Sequence, residues 1–179
     1  GHTRYVLAAC LAGPGVLATG SADQTVRLWE VAQRACVGTL TGHTSAVLAA
    51  CLAGPGVLAT GSADQTVRLW DVAQRACVGT LTGHTSDVLA ACLAGPGVLA
   101  TGSGDKTVRL WDVAQRACVG TLTGHTHWVN AACLAGPGVL ATGSRDKTVR
   151  LWDVAQRACV GTLTGHTGSV LTACLSGPG

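Results

Sequence analysis

The chain has no Phe and no Met among its 179 residues, and aromatic side chains make up only 3% of it. Its hydrophobic share is nonetheless 47%, so the interior must be built from Ala, Val, Leu and Cys. Small apolar residues of this kind suit flat contacts between stacked sheets better than one thick globular core. Charge is scarce too. Only 12% of residues are Asp, Glu, Lys or Arg, and the net charge is +3, too little for the dense basic face that a nucleic-acid partner requires. No apolar run is long enough to serve as a membrane span. The uncharged stretch 45–63 is broken at its centre by Gly54-Pro55-Gly56, which stops a helix and predicts two strands and a turn. No CxxC or HxxxH spacing is present, so no metal is expected. The glycines around Val57-Leu58-Ala59-Thr60-Gly61 lack the Lys of a phosphate loop. No cofactor is expected.

Nine cysteines suggest a disulfide scaffold until they are placed. Cys10, Cys51, Cys92, Cys133 and Cys174 share one repeat position, and Cys36, Cys77, Cys118 and Cys159 share another. The first set falls on the innermost strand of a four-stranded unit and the second on the outermost. Two strands lie between, so the gap is roughly 14 Å at about 4.8 Å per strand, beyond the reach of a disulfide within one unit. The expectation is small, buried, reduced thiols. Together with the lack of a visible signal peptide, this favours a cytoplasmic setting.

What the chain does have is repetition. Gly-His-Thr recurs at Gly1, Gly42, Gly83, Gly124 and Gly165, a period of 41 residues, and each of the four complete units carries Trp followed by an acid. A period in this range, with Gly-His near one end and Trp-Asp further on, signals a four-stranded propeller blade. In the second unit, Val47-Leu48-Ala49-Ala50-Cys51-Leu52 ends at the Gly54-Pro55-Gly56 turn. Val57 to Ser62 forms the next strand, and Asp64 marks a second tight turn. Thr66-Val67-Arg68-Leu69-Trp70 alternates polar and apolar residues, and Ala76 to Leu81 closes the unit. The order is an antiparallel meander of strands a to d. The fold expected is all-β: four complete blades at 1–41, 42–82, 83–123 and 124–164, with strand a of a fifth in 165–179. The chain opens in mid-pattern and stops at Gly177-Pro178-Gly179 inside a hairpin, so a segment of a longer array is expected.

Gly42-His43, Thr60, Asp64 and Trp70-Asp71 carry a resemblance to the WD-repeat β-propeller family, and the resemblance runs from end to end. The first unit departs from the pattern with Trp29-Glu30, where Glu keeps the charge. The resemblance implies a hydrogen-bonded structural tetrad in each unit: His2, Thr19, Asp23 and Trp29; His43, Thr60, Asp64 and Trp70; His84, Thr101, Asp105 and Trp111; His125, Thr142, Asp146 and Trp152. His43, Ser62 and Asp64 also look like a nucleophilic triad. A catalytic set is needed once, however, and this one occurs in every blade, so no enzyme is expected.

Among the complete units only six of the 41 positions vary. One pair is Arg4-Tyr5, Ser45-Ala46, Ser86-Asp87 and His127-Trp128. Leu7, Leu48, Leu89 and Asn130 follow. A third cluster pairs Ala22, Ala63, Gly104 and Arg145 with Gln24, Gln65, Lys106 and Lys147; the last position is Glu30 against Asp71, Asp112 and Asp153. Strands alternate in direction, so all but the Glu30 position share one rim, the top face in this family. The bottom turns do not vary. Exposed aromatics and Arg make binding hot spots, and the resemblance places partner sites at these positions. The expected function is a non-enzymatic protein-interaction scaffold. Its partner-binding candidates are Arg4, Tyr5, Asp87, Lys106, His127, Trp128, Asn130, Arg145 and Lys147, and its partner is a protein or peptide of acidic character. Self-association to complete a ring is a further expectation, because four blades are too few to close one. Two alternatives stay open: a recognition domain of a larger signalling or innate-immunity-like protein, and a synthetic or recently amplified array with no ligand.

Overall fold

The computed structural model describes residues 1–174. Sixteen strands form four separate four-stranded antiparallel sheets, each in simple meander order. Blade one holds β1 (Val6–Gly13), β2 (Val16–Ser21), β3 (Val26–Glu30) and β4 (Ala35–Leu40). Blade two holds β5 (Val47–Gly54), β6 (Val57–Ser62), β7 (Val67–Asp71) and β8 (Ala76–Leu81). Blade three holds β9 (Val88–Gly95), β10 (Val98–Ser103), β11 (Val108–Asp112) and β12 (Ala117–Leu122). Blade four holds β13 (Val129–Gly136), β14 (Val139–Ser144), β15 (Val149–Asp153) and β16 (Ala158–Leu163). The first strands of successive blades pack side by side, β1 on β5, β5 on β9 and β9 on β13. They line a central depression that Leu7, Leu48, Leu89 and Asn130 share. The blades form an open arc of a propeller.

Local sequence sets each layer. The second strand of a blade has a neighbouring sheet on both sides, so Leu58, Ala59, Thr60, Gly61 and Ser62 are all buried. Gly61 is where the next blade comes closest: a Cβ there would lie 2.6 Å from Val88 Cγ1. Strand a carries a bulge between Val47 and Ala49. The extra residue is Leu48, whose equivalent in blade four is the variable Asn130. A bulge re-aims a side chain, and here the position lines the channel. Between blades the core repeats. Ala12, Ala18, Val26, Leu28 and Leu40 of blade one meet Val47, Leu58 and Trp70 of blade two, and the next two junctions use the equivalent residues.

Three expectations need correcting. The fifth unit forms no strand among the described residues. Val170 does dock on blade four, donating its N–H to Ser144 O at 2.9 Å, but no second strand lies beside residues 170–174 to complete a ladder. The Gly177-Pro178-Gly179 turn lies outside the described residues. The cysteines are all free, yet only Cys10, Cys51, Cys92 and Cys133 of the inner set are half-buried, and Cys174 is exposed. Cys36, Cys77, Cys118 and Cys159 sit on the outermost strand and are exposed, because no further strand lies outside it. Each receives a guanidinium N–H, from Arg27, Arg68, Arg109 and Arg150 respectively, at 3.6–3.8 Å. Finally, Glu30 is not a neutral stand-in for Asp. Asp71, Asp112 and Asp153 accept the N–H of Gln74, Gln115 and Gln156 at 2.7–2.8 Å. The longer Glu30 instead reaches back to the a–b turn, where a Cβ on Gly15 would meet its Oε1 at 3.1 Å.

The two thiol sets should react differently. Burial pushes Cys51 up strongly, with Cys92 and Cys10 nearby adding to it. Burial takes Cys92 to about 12, with Cys133 contributing. Desolvation would raise Cys36, but the Arg27 hydrogen bond and charge, with hydrogen bonds at Gly38 and Thr39, together hold it below its ordinary value. Since the thiolate is the reactive form and access is needed, an aromatic disulfide reagent near neutral pH should modify the exposed Cys36, Cys77, Cys118, Cys159 and Cys174 first. Cys51 and Cys92 should react only after unfolding. Mass mapping that finds Cys51 labelled as fast as Cys77 contradicts this placement.

Candidate functional site

The polar network in each blade begins with a histidine carried by the loop entering strand a. In blade two, His43 Nδ1 lies 2.7 Å from Asp64 Oδ2 and Nε2 lies 2.9 Å from Thr60 Oγ1. Trp70 Nε1 donates to the same Thr60 Oγ1 at 2.8 Å. Since indole N–H only donates and an ionised carboxylate only accepts, the proton order is set. Trp70 donates to Thr60, Thr60 donates to His43 Nε2, and His43 Nδ1–H donates to Asp64. Asp64 also takes N–H bonds from Thr44 and Thr66, both at 3.0 Å, and the Thr66 hydroxyl at 2.6 Å. The His–Asp, His–Thr and Trp–Thr distances for His2, His84 and His125 are 2.7–2.9 Å.

Ser62 belongs to a different connection. Its hydroxyl accepts from Asp64 N at 3.1 Å and donates to Ser45 O at 3.2 Å, so His43, Ser62 and Asp64 do not form a nucleophile–base pair. The buried serines Ser21, Ser62, Ser103 and Ser144 pin the b–c turn to the d–a loop. Sequence reasoning missed this role, though the residue's invariance in all four units was visible. It also missed Arg68, Arg109 and Arg150, whose guanidinium carbons lie 6.0 Å from the centroids of Trp70, Trp111 and Trp152.

The same pinning joins the variable positions. The residue before each turn Asp donates its backbone N–H to the second residue of the variable pair: Ala22 to Tyr5, Ala63 to Ala46, Gly104 to Asp87 and Arg145 to Trp128, at 2.9–3.0 Å. Two positions well apart in sequence are therefore neighbours on the rim of every blade. Only in blade four are both large. There the Arg145 guanidinium carbon sits 4.1 Å from the Trp128 ring centroid. The His127 ring stands edge-on to Trp128 at 5.9 Å, and its Nδ1 accepts the Trp128 N–H at 2.8 Å. Trp128 is thus half-buried beneath an exposed Arg145, not freely exposed as the sequence suggested.

The other candidates spread along the rim. Arg4 and Tyr5 are exposed on blade one, Tyr5 at 84%, beside a shallow depression with Thr3 and Ala22. Asp87 is half-buried on blade three. Lys106 and Lys147 are exposed, with left-handed φ values of 72° and 71°. Asn130 faces the channel, with its Nδ2 3.5 Å from Val170 O. Among the described residues no cluster of three or more His, Cys, Asp or Glu side chains could hold a metal ion.

A family model described as "WD domain, G-beta repeat" matches residues 1–30, 34–71, 75–112 and 116–153. The chain belongs to the WD-repeat family. Repeats of this family generally mediate protein–protein interactions, and the family is typically non-enzymatic. No curated protein matches the chain.

The WD-repeat network also sets a pH response. Burial lowers His43 and His84 below their ordinary value of 6.5, against the pull of Asp64 and Asp105. Burial would raise Asp64 and Asp105, but their hydrogen bonds from Thr66, His43, Thr107 and His84 prevail and hold both carboxyls at about 2 against an ordinary 3.8. The unfolded chain therefore takes up protons at a higher pH than the folded one in both cases, and stability falls as pH drops. Loss from the histidines begins below their ordinary 6.5. Loss from the carboxyls follows between 3.8 and about 2. Thermal melts across this range should show a falling midpoint from just below neutrality. A midpoint unchanged between about pH 7.5 and pH 5 contradicts the depressed histidines.

Proposed function

We propose that this WD-repeat chain is a non-enzymatic scaffold that binds a protein or peptide partner through its top rim, with blade four as the anchor. One observation carries this reading. At paired rim positions that hold Ala22 with Tyr5, Ala63 with Ala46 and Gly104 with Asp87, blade four alone places a guanidinium over an indole, its carbon 4.1 Å from the ring centroid. Packing against Trp128 restrains the exposed Arg145 and leaves N–H donors for a carboxylate, the recognition that Arg performs well. Lys147 extends the positive charge, Lys106 adds to it from the preceding blade, His127 adds a polar ring, and the half-buried Trp128 offers an apolar edge. The partner that fits has an acidic residue beside an apolar anchor.

Trp128→Ala should weaken partner binding by about 2 kcal/mol, on the order of 30-fold in Kd. Arg145→Ala should slow association and reduce its salt dependence. Neither change should alter folding, because blade two has Ala46 and Ala63 at these positions and keeps the equivalent backbone bond, at 2.9 Å against 3.0 Å in blade four. Capture from the native lysate with the parent chain and the Trp128→Ala, Arg145→Ala double variant decides the matter. Recovery of the same partners by both removes blade four's rim as the site.

A further inference from the structure

Turns at the bottom of adjoining blades leave an apolar groove at each of the three junctions. Between blades two and three, Leu69 and Val78 of one blade face Leu93, Pro96 and Val113 of the next across about 550 Å³. Leu110, Val119, Leu134, Pro137 and Val154 repeat the arrangement between blades three and four, again at about 550 Å³. The other lining residues are Ala, Gly, Val and Pro, with a single exception in each groove. That exception is Arg116 in the first of these two and Arg157 in the second.

The arginine is held in place by its neighbours. Arg116 leaves the c–d turn at a left-handed φ of 55°, and Arg157 at 56°. The stem then lies across the outer strand of the preceding blade, where a Cβ on Gly79 would fall 2.9 Å from Arg116 Cδ, and one on Gly120 the same distance from Arg157 Cδ. A side chain at either glycine would push the arginine away. The ion pairs among the described residues are all His–Asp, so neither guanidinium is paired with a carboxylate there. The groove between blades one and two differs in charge. Glu30 lines it together with Arg75, and its volume is about 450 Å³. Asp71 and Asp112, at the equivalent position, accept the N–H of Gln74 and Gln115 and line neither of the other two grooves.

We propose that the grooves at the second and third junctions bind medium-chain fatty acids. The tail lies along the Leu, Val and Pro side chains, and the carboxylate accepts the guanidinium N–H groups of Arg116 or Arg157. The lining selects an acid with a plain tail over a peptide. Apart from the arginine, its side chains carry no polar atom, and Pro96 and Pro137 lack even a backbone N–H. The amides of a peptide would lose water there without gaining partners, whereas a hydrocarbon tail has nothing to satisfy. The first groove already holds the carboxylate of Glu30, which opposes a second negative charge. The proposal is independent of the top-rim reading, because these turns lie at the opposite end of the blades.

Octanoate is the probe, titrated into the full chain with its Leu and Val methyl groups labelled for NMR. Saturable shifts should appear at Leu69, Val78 and Leu93 and at Leu110, Val119 and Leu134, while Leu28 and Val37 of the first groove stay unmoved. Octanol has the same tail without the charge and should bind about fivefold more weakly, the scale of a solvent-facing ion pair. Arg116→Gln should bring octanoate down to the affinity of octanol between blades two and three and leave the next groove unchanged. Arg157→Gln should do the converse. Both arginines are exposed, so folding is kept. Glu30→Asp should cap Gln33 as Asp71 caps Gln74, and octanoate should then shift Leu28 and Val37 as well. Equal binding of octanol and octanoate, octanoate shifts in the first groove of the parent, or no groove-specific loss in either Gln variant would each overturn the proposal. So would the absence of a gain in Glu30→Asp, or an acetylated Leu-Leu-Asp tripeptide that binds these grooves more tightly than octanoate.

Discussion

Trp111→Ala is expected to lower folding stability by about 3–5 kcal/mol, the range for removing a large aromatic from a tight core. Two losses combine. The indole is 2% exposed and fills the junction with Ala53, Val67, Leu69 and Leu81 of the preceding blade, so its removal leaves a cavity between two rigid sheets that cannot collapse into it. Its Nε1–H also donates to Thr101 Oγ1 at 2.8 Å, and the buried hydroxyl loses that donor. The chain holds its own control. Trp29 makes the same bond to Thr19 at 2.7 Å, but it is only half-buried. Trp29→Ala, measured by urea unfolding, should therefore cost about half as much. Equal losses would mean that the hydrogen-bonded network, and not cross-blade packing, sets the contribution of the tryptophan.

That contrast also shows what could be read from the chain and what could not. The blades were legible because a strict period leaves one solution: each unit must bury its two faces against copies of itself. The tetrad residues were legible from the family pattern alone. What escaped depends on the surroundings of a unit and not on its content. Cys36 and Cys51 look alike in sequence as small apolar residues, but one lies on a strand with nothing outside it and the other on the strand facing the channel. Trp128 and Arg145 are distant in sequence, and the Arg145 N–H to Trp128 O bond and the Ser144 hydroxyl to His127 O bond place them together. The fifth unit repeats the residues of a first strand, but a strand needs a ladder, and Val170 shows only the docking half of the pattern.

Gly61→Ala is expected to cost about 2–3 kcal/mol, at the upper end of what one added carbon imposes on a packed interior. Gly61 pairs with Ala49 on one side and Val67 on the other, so its own strand cannot shift without disturbing two ladders. The new Cβ would lie 2.6 Å from Val88 Cγ1, 3.0 Å from Val88 Cβ and 3.2 Å from Val88 O. A rotamer change could move Cγ1 but not Cβ or the carbonyl, so blades two and three would have to part along their whole junction. Gly54→Ala gives the contrast within the same blade: no atom lies within 4 Å of its Cβ direction, and the change should stay within about 0.5 kcal/mol of the parent. Pairing Gly61→Ala with Val88→Ala removes the Cγ1 overlap and leaves the carbonyl contact, so the double variant should lose clearly less than the sum of the singles. Additive losses in urea unfolding would show that Gly61 is needed for its own strand's backbone and not for the approach of the next blade.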